Sequence, residues 1–247
     1  MKYQLTSETT LSSTRSTLHR IKALVDLPLH GVKTGDPGGF VESTSNLSQE
    51  GDCWIYEDAK VYGDARIYGK ATASGKAQVF GDAQVFGWAK VSGKAKVSGF
   101  ARVYENAQVF GNAQVYGNAW VCGNSQVSGF ARVYGDAQVS GKAQASGFAR
   151  TLGRAQLYED AKVSGFARVY ENAQVSGKAQ VYGNAWVCGN SQVSGEAQVF
   201  ENAWICGFTF LKENFRIGGT DSLFDGSHGA LPPSTPQTPQ LTTITPS

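Results

Sequence analysis

Three kinds of side chain in this chain have the reactivity for chemistry, and their spacing limits what each can do. Histidine occurs at His19, His30 and His228 only. A general base must sit within hydrogen-bond reach of its proton, and a zinc site needs three or four converging ligands. Three histidines split between the two ends of 247 residues supply neither arrangement locally. The four cysteines are Cys53, Cys122, Cys188 and Cys206, too few for a disulfide scaffold. Cys188 and Cys206 are separated by an interval of 18. Two thiolates suggest a metal or redox pair, but further ligands are missing, and the simpler reading is small side chains standing where serine usually stands. The third kind is arginine. The tetrapeptide GFAR begins at Gly129, Gly147 and Gly165, so Arg132, Arg150 and Arg168 recur at that same interval. Phe130, Phe148 and Phe166 precede them by two, and Tyr134 and Tyr170 follow by two. Guanidinium groups placed side by side repel unless an anion or an aromatic ring intervenes. Basic groups interleaved with aromatics suit a phosphate-bearing ligand, a nucleic-acid strand or an acidic partner.

Those intervals have meaning only through the element that carries them. From Gly51 to Cys206 the chain runs 156 residues as 26 consecutive hexads, without insertion or deletion. Position 1 is Gly in 21 hexads and Glu in five, and 21 of the 30 glycines belong to this device. Position 3 is Ala except at Cys53, Ser125 and Ser191, and position 5 is mostly Val. Positions 3 and 5 lie two apart, so in an extended strand they share one face, while positions 4 and 6 point outward. Glycine at position 1 supplies a turn with positive φ at low cost. Where Glu replaces it, the next residue is Asp58, Asn106, Asp160, Asn172 or Asn202. Asn and Asp tolerate that conformation best after Gly, so the positive φ is expected to move one place along. No helix accommodates a six-residue period of this kind.

Short strands closed by a turn after each hexad, three to a coil, define an all-β fold: a single-stranded, left-handed parallel β-helix with triangular coils of three hexads each. The expected array has between eight and nine coils. Counting hexads modulo three sorts the outward residues onto three faces. The 13 aromatics at position 6 divide nearly evenly among them, and Thr72 is the only threonine at position 4, which argues against an ice-binding face. The GFAR stripe falls on one face, continuing to Trp186 and Trp204 and backwards to Lys96 and Lys60. Nine of 26 position-4 residues are Lys or Arg, so ordinary solvated surface is the competing reading of that stripe. Residues 99–128 and 165–194 match at all but two of 30 positions, at an offset of 66, which moves the copy to a different face from its parent.

A repeat rod buries its core between neighbours and needs its ends covered. Residues 1–50 are read as an N-terminal segment, with Ile21, Ala23, Val25 and Leu27 alternating as a capping strand. The rod spans 51–218. Its C-terminal cap starts near 207, where Phe208, Phe210, Leu211, Phe215 and Ile217 are expected to plug the open end. Residues 219–247 hold five of the seven prolines within LPPSTPQTPQLTTITPS and read as a disordered tail. The net charge of +2 disfavours bulk attraction to nucleic acid or membrane. No run approaches the length of a spanning helix, and the start lacks a secretory signal, which points to a cytoplasmic chain.

The V-x-G-x-A-x cycle resembles the hexapeptide-repeat, left-handed β-helix superfamily. HRIKALVDL at 19–27 and GDPGGFVESTSNLSQEGDCWIYEDA at 35–59 more narrowly resemble the YdcK-type bacterial proteins, described as acetyltransferase-like with unknown substrate. The resemblance implies an acyltransferase using acyl-CoA, assembled as a trimer, with a histidine base on or beside the coils and often an interrupting loop. This chain has neither a histidine nor a loop within its hexads. The reading favoured by the residues is therefore a rod acting as scaffold or binding platform, with no catalytic residue, metal or cofactor and an unknown protein or anionic ligand as partner. An acyltransferase is the alternative, and sequestration of an anionic ligand along the arginine stripe is a third.

Overall fold

A computed structural model describes residues 1–224. The repeat forms a parallel β-solenoid whose strands are dipeptides at positions 4 and 5, such as Arg132–Val133, Arg150–Thr151 and Arg168–Val169. Each pairs in register with the strands one coil before and one coil after it. The strands assemble into three sheets of 13, ten and nine. Ala at position 3 and Val at position 5 fill the interior with essentially no exposure. Backbone amides of positions 2, 4 and 6 bond carbonyls of the next coil, as in Phe130 to Gly147, Arg132 to Ala149 and Tyr134 to Thr151. Proline has no amide to give to such a ladder, and none occurs in the hexads.

Position 1 adopts positive φ at every described hexad, and this overturns one expectation. Glu57, Glu105, Glu159, Glu171 and Glu201 carry the positive φ themselves, between +54° and +61°. The strain does not pass to the Asn or Asp behind them. The reason lies one coil away: each of these carboxylates accepts a hydrogen bond from the position-1 glycine amide of the next coil, at 2.5–2.6 Å. Backbone ladder bonds leave that amide unused, so the carboxylate offsets part of the conformational cost. Elsewhere glycine is required twice over. At Gly123, φ is +70°, and an added Cβ would stand 2.7 Å from the Gly141 carbonyl oxygen.

The N-terminal segment holds three strands, β1 (Tyr3–Leu11), β2 (Thr17–Ala23) and β3 (Pro37–Val41). β1 and β2 form an antiparallel hairpin, β2 pairs antiparallel with β3, and β3 runs parallel to Lys60–Val61 of the rod. Tyr3, Ile21, Val41 and Leu47 are buried continuously with the rod's core. The alternation expected through Leu27 ends at Ala23: Val25 is exposed, while Leu27 is buried and bridges to Val32.

At the other end the phenylalanines do not plug the solenoid. Phe208, Phe210 and Phe215 are about half exposed, whereas Leu211 and Ile217 are buried. Position decides for Phe208 and Phe210, which stand at outward positions 2 and 4. The stack also continues past 218, since Ser222–Phe224 pairs with Trp204–Cys206. The tail assigned to disorder otherwise lies outside the described residues, as does His228.

Candidate functional site: an arginine and phenylalanine ladder

Arg132, Arg150 and Arg168 stand on three consecutive strands of the largest sheet, with Arg132 paired to Arg150 and Arg150 to Arg168. Each belongs to a position whose backbone is held on both sides by the ladder, so the side chains leave the sheet in one line. Phe130, Phe148 and Phe166 occupy the preceding turns, where their amides bond Gly147, Gly165 and Gly183 at 2.7 Å. Their rings stack with centroids 4.9 Å apart and planes within 5° of parallel. Between the two rows runs a shallow groove of about 180 Å³, bounded at its lower end by Asn112 and Gln114.

The aromatic neighbours on the far side are less regular than the spacing suggested. Tyr134 stacks on Tyr116 at 4.8 Å, but Leu152 follows it, so Tyr134 and Tyr170 are not adjacent. Tyr170 instead meets Trp186 edge-on at 6.0 Å. Trp186 and Trp204 continue the arginine line on the next two strands, 5.2 Å apart and tilted by 57°. Arg168 lies 4.6 Å over the Trp186 ring. The three arginines and two tryptophans thus share the 13-stranded sheet and the three phenylalanines line its groove, while Tyr134 and Tyr170 stand outside that groove.

Electrostatically the ladder is uncompensated. Ion pairs among the described residues join Arg20 to Glu8 and Asp58, Lys33 to Asp26, and Lys178 to Glu196. None involves the three ladder arginines. Burial raises the Tyr116 hydroxyl above its ordinary pKa, and the positive charges of Arg132 and Arg150 pull against that shift. Burial does the same at Tyr170, helped by Glu171 and opposed by Arg168.

The other chemically capable residues lie apart from this face or carry structure. His19 and His30 are in the N-terminal segment, where burial holds His30 below its ordinary pKa. Cys53 is buried against Lys2, whose ammonium donates to its sulfur at 3.1 Å and to the carbonyls of Gly51 and Cys53. Burial raises the Cys53 thiol pKa despite that contact. Cys188 and Cys206 are joined as a disulfide, with Cα atoms 4.6 Å apart, rather than standing as two small thiols. Spacing had placed them in adjacent coils without indicating a bond. Among the described residues no cluster of three His, Cys, Asp or Glu is arranged to hold a metal. No helix there is long and apolar enough to cross a membrane. Sequence reasoning missed the glutamate-to-glycine staples and Lys2. The staples have a readable signal, a Gly one coil after every repeat Glu; Lys2 has none.

Hexad, coil and three-sheet array together define a hexapeptide-repeat β-solenoid. The YdcK beta solenoid repeat is the family whose model matches, at residues 107–123, 113–129 and 179–195, and the protein is YdcK-like in this sense. The second and third segments are copies of each other at the offset of 66. No curated protein matches the chain.

Proposed function

We infer that the protein is a non-catalytic rigid rod that serves as a scaffold or binding platform. The observation that carries this reading is the unbroken solenoid: strands of the hexad run from Trp54 to Cys206 without an inserted loop. Every inward position from Val61 to Ile205 is fully buried, so the rod meets solvent only through its outward residues and turns. At about 4.8 Å per coil the array is a rod roughly 45–50 Å long, whose outward residues are fixed in position by backbone bonds on both sides. Such a surface presents side chains at a constant pitch with no backbone left to order on binding, which suits docking. Acyl-CoA is no part of this reading, and neither is a metal. A cytoplasmic setting belongs to it, and the Cys188–Cys206 bond is the feature pulling toward an oxidising compartment instead.

Titration of the full chain with acetyl-CoA by calorimetry tests the choice between rod and acyltransferase. The rod reading expects no saturable heat. Saturable binding that is lost in H228A would replace it with the acyltransferase. Sedimentation velocity run alongside reports whether the rod is single or, as in the related acyltransferases, trimeric.

A further inference from the structure

The two ends of the solenoid are finished differently. At the N-terminal end, carbonyls that a preceding coil would have engaged are already taken. The Lys2 ammonium donates to Gly51 and Cys53, the amides of Phe40 and Glu42 to Ala59 and Val61, and the Asn46 side chain to Gly63 and Ala65. At the C-terminal end the corresponding groups are amides. Phe210, Arg216 and Ser222 lie in the outermost strands of the nine-, ten- and 13-stranded sheets. In every earlier hexad the position-4 amide bonds the next coil; these three have no partner among the described residues. The core is open at this end too. Phe215 takes the inward third position, where the other hexads of the rod carry Ala, Ser or Cys, yet it is 47% exposed.

An unpaired strand edge is a template for another chain, and here three edges must be met at once. The segment that follows, 225–247, is a poor cover. Proline cannot donate to a ladder, and the longest proline-free run in that segment is seven residues, enough for one sheet of the three. The N-terminal end of another copy is no better, because its carbonyls are already bonded, so rods do not stack head to tail into a filament. The C-terminal end of a second copy fits. The last coil is a ramp that climbs one coil pitch, about 4.8 Å, and ends in a step at the corner between Phe224 and Gly207. Turned over about a two-fold axis through that corner, an identical ramp of the same hand runs parallel to the first. The gap then stays constant around all three sheets, and step meets step. An unrelated protein would need the same pitch and the same three-sided outline, which a second copy has by identity.

We propose that two copies of this chain join by their C-terminal coils into one continuous rod, a closed two-fold dimer. The strands pair antiparallel across the junction: Arg216–Ile217 meets its own counterpart, and Phe210–Leu211 meets Ser222–Phe224 of the second copy. Phe215 from each copy closes the core between them. The capped N-terminal ends face outward and stop further growth, as a two-fold interface requires. The inference goes beyond the scaffold reading, because it names what the rod joins.

The test is sedimentation velocity on the full chain, with small-angle scattering for shape. The expected species has twice the 26.3 kDa chain mass. F210P/R216P/S222P places proline only at unpaired amides, so the last coil can form without them while the junction cannot. F215D, the second variant, keeps every edge amide and puts a charge where the cores meet. Both are expected to raise the dimer dissociation constant at least about tenfold with the far-ultraviolet spectrum unchanged. F130S/F148S/F166S, which strips the exposed ring ladder from the rod's side, should leave it as it is. The dimer's maximum dimension should be about twice that of the monomeric variants. A side-by-side dimer would leave that dimension nearly unchanged and overturn the proposal. So would a trimer, a dimer weakened by neither end variant, or one lost in F130S/F148S/F166S. A wild-type chain still monomeric at about 100 µM overturns it as well, and leaves the end to segment 225–247 or to another protein. None of these outcomes bears on acetyl-CoA binding, so the two readings fall separately.

Discussion

Thr151 occupies the inward fifth position of its hexad, between Val133 and Val169 on the neighbouring coils. Its hydroxyl is buried and without a hydrogen-bond partner. An unsatisfied buried hydroxyl carries a desolvation penalty that an isosteric methyl does not. T151V should therefore raise stability by about 1 kcal/mol, read as a higher urea midpoint at unchanged slope. A midpoint equal to or below wild type would show that the hydroxyl is satisfied in solution. Repetition made this position legible, because an exception shows only against Val at the same place in other hexads. The same repetition misled at Glu105 and its counterparts. Local propensity says a β-carbon should avoid positive φ, and it passes the strain to Asn106. What outweighs propensity is a carboxylate bond to Gly123, in the next coil. A contact one full coil away is invisible to any argument about neighbouring residues.

Among elements, the N-terminal hairpin was the least readable. β2 shows alternation at Ile21 and Ala23, but β1 reads YQLTSETTL and owes its strand to antiparallel pairing with β2. Its anchor is Tyr3, whose hydroxyl donates to the carbonyls of Leu47 at 2.7 Å and Thr44 at 3.1 Å. Burial, with the Cys53 thiolate's repulsion added, pushes its pKa up to about 12 from an ordinary value of 10.0. The sign follows from linkage. A phenol whose pKa is higher folded than unfolded contributes stability in full below pH 10, and that contribution is lost as pH rises toward 12. The hairpin should therefore loosen from the first coil between those values. Trp54 reports it, being fully buried and edge-on to Tyr3 at 6.4 Å. Its fluorescence is expected to red-shift over that interval in wild type and to lose this step in Y3F. A step of unchanged midpoint and size in Y3F would assign the transition to other groups. Trp54 itself stands at an outward position, and only the hairpin explains why it is buried.

At the scale of the whole molecule, two periods govern different properties. Pairing needs only that hexads stay in phase, because nearly every hexad offers a small inward residue at position 3, an aliphatic one at position 5 and the same position-1 turn. Face identity needs the full coil of three hexads. The duplicated block separates the two experimentally in nature's own sequence. Arg102 and Trp120 sit on the nine-stranded sheet with the guanidinium 5.5 Å from the ring, and their copies Arg168 and Trp186 repeat the contact at 4.6 Å on the 13-stranded sheet. Local geometry thus survives transfer to another face. Deletion of the single hexad 135–140 should follow the same logic. The chain after it re-pairs in hexad phase, so the unfolding transition stays cooperative and within a few degrees of wild type, by thermal denaturation followed in the far-ultraviolet. Arg150 and Arg168, however, rotate to a different face from Arg132, which breaks the Phe130–Phe148 stack and leaves the Phe148–Phe166 stack in place. Deletion of the whole coil 129–146 removes one arginine but leaves Arg150 and Arg168 adjacent and on their original face. If the single-hexad deletion unfolds the protein, hexads are not interchangeable and the rod depends on coil-specific contacts.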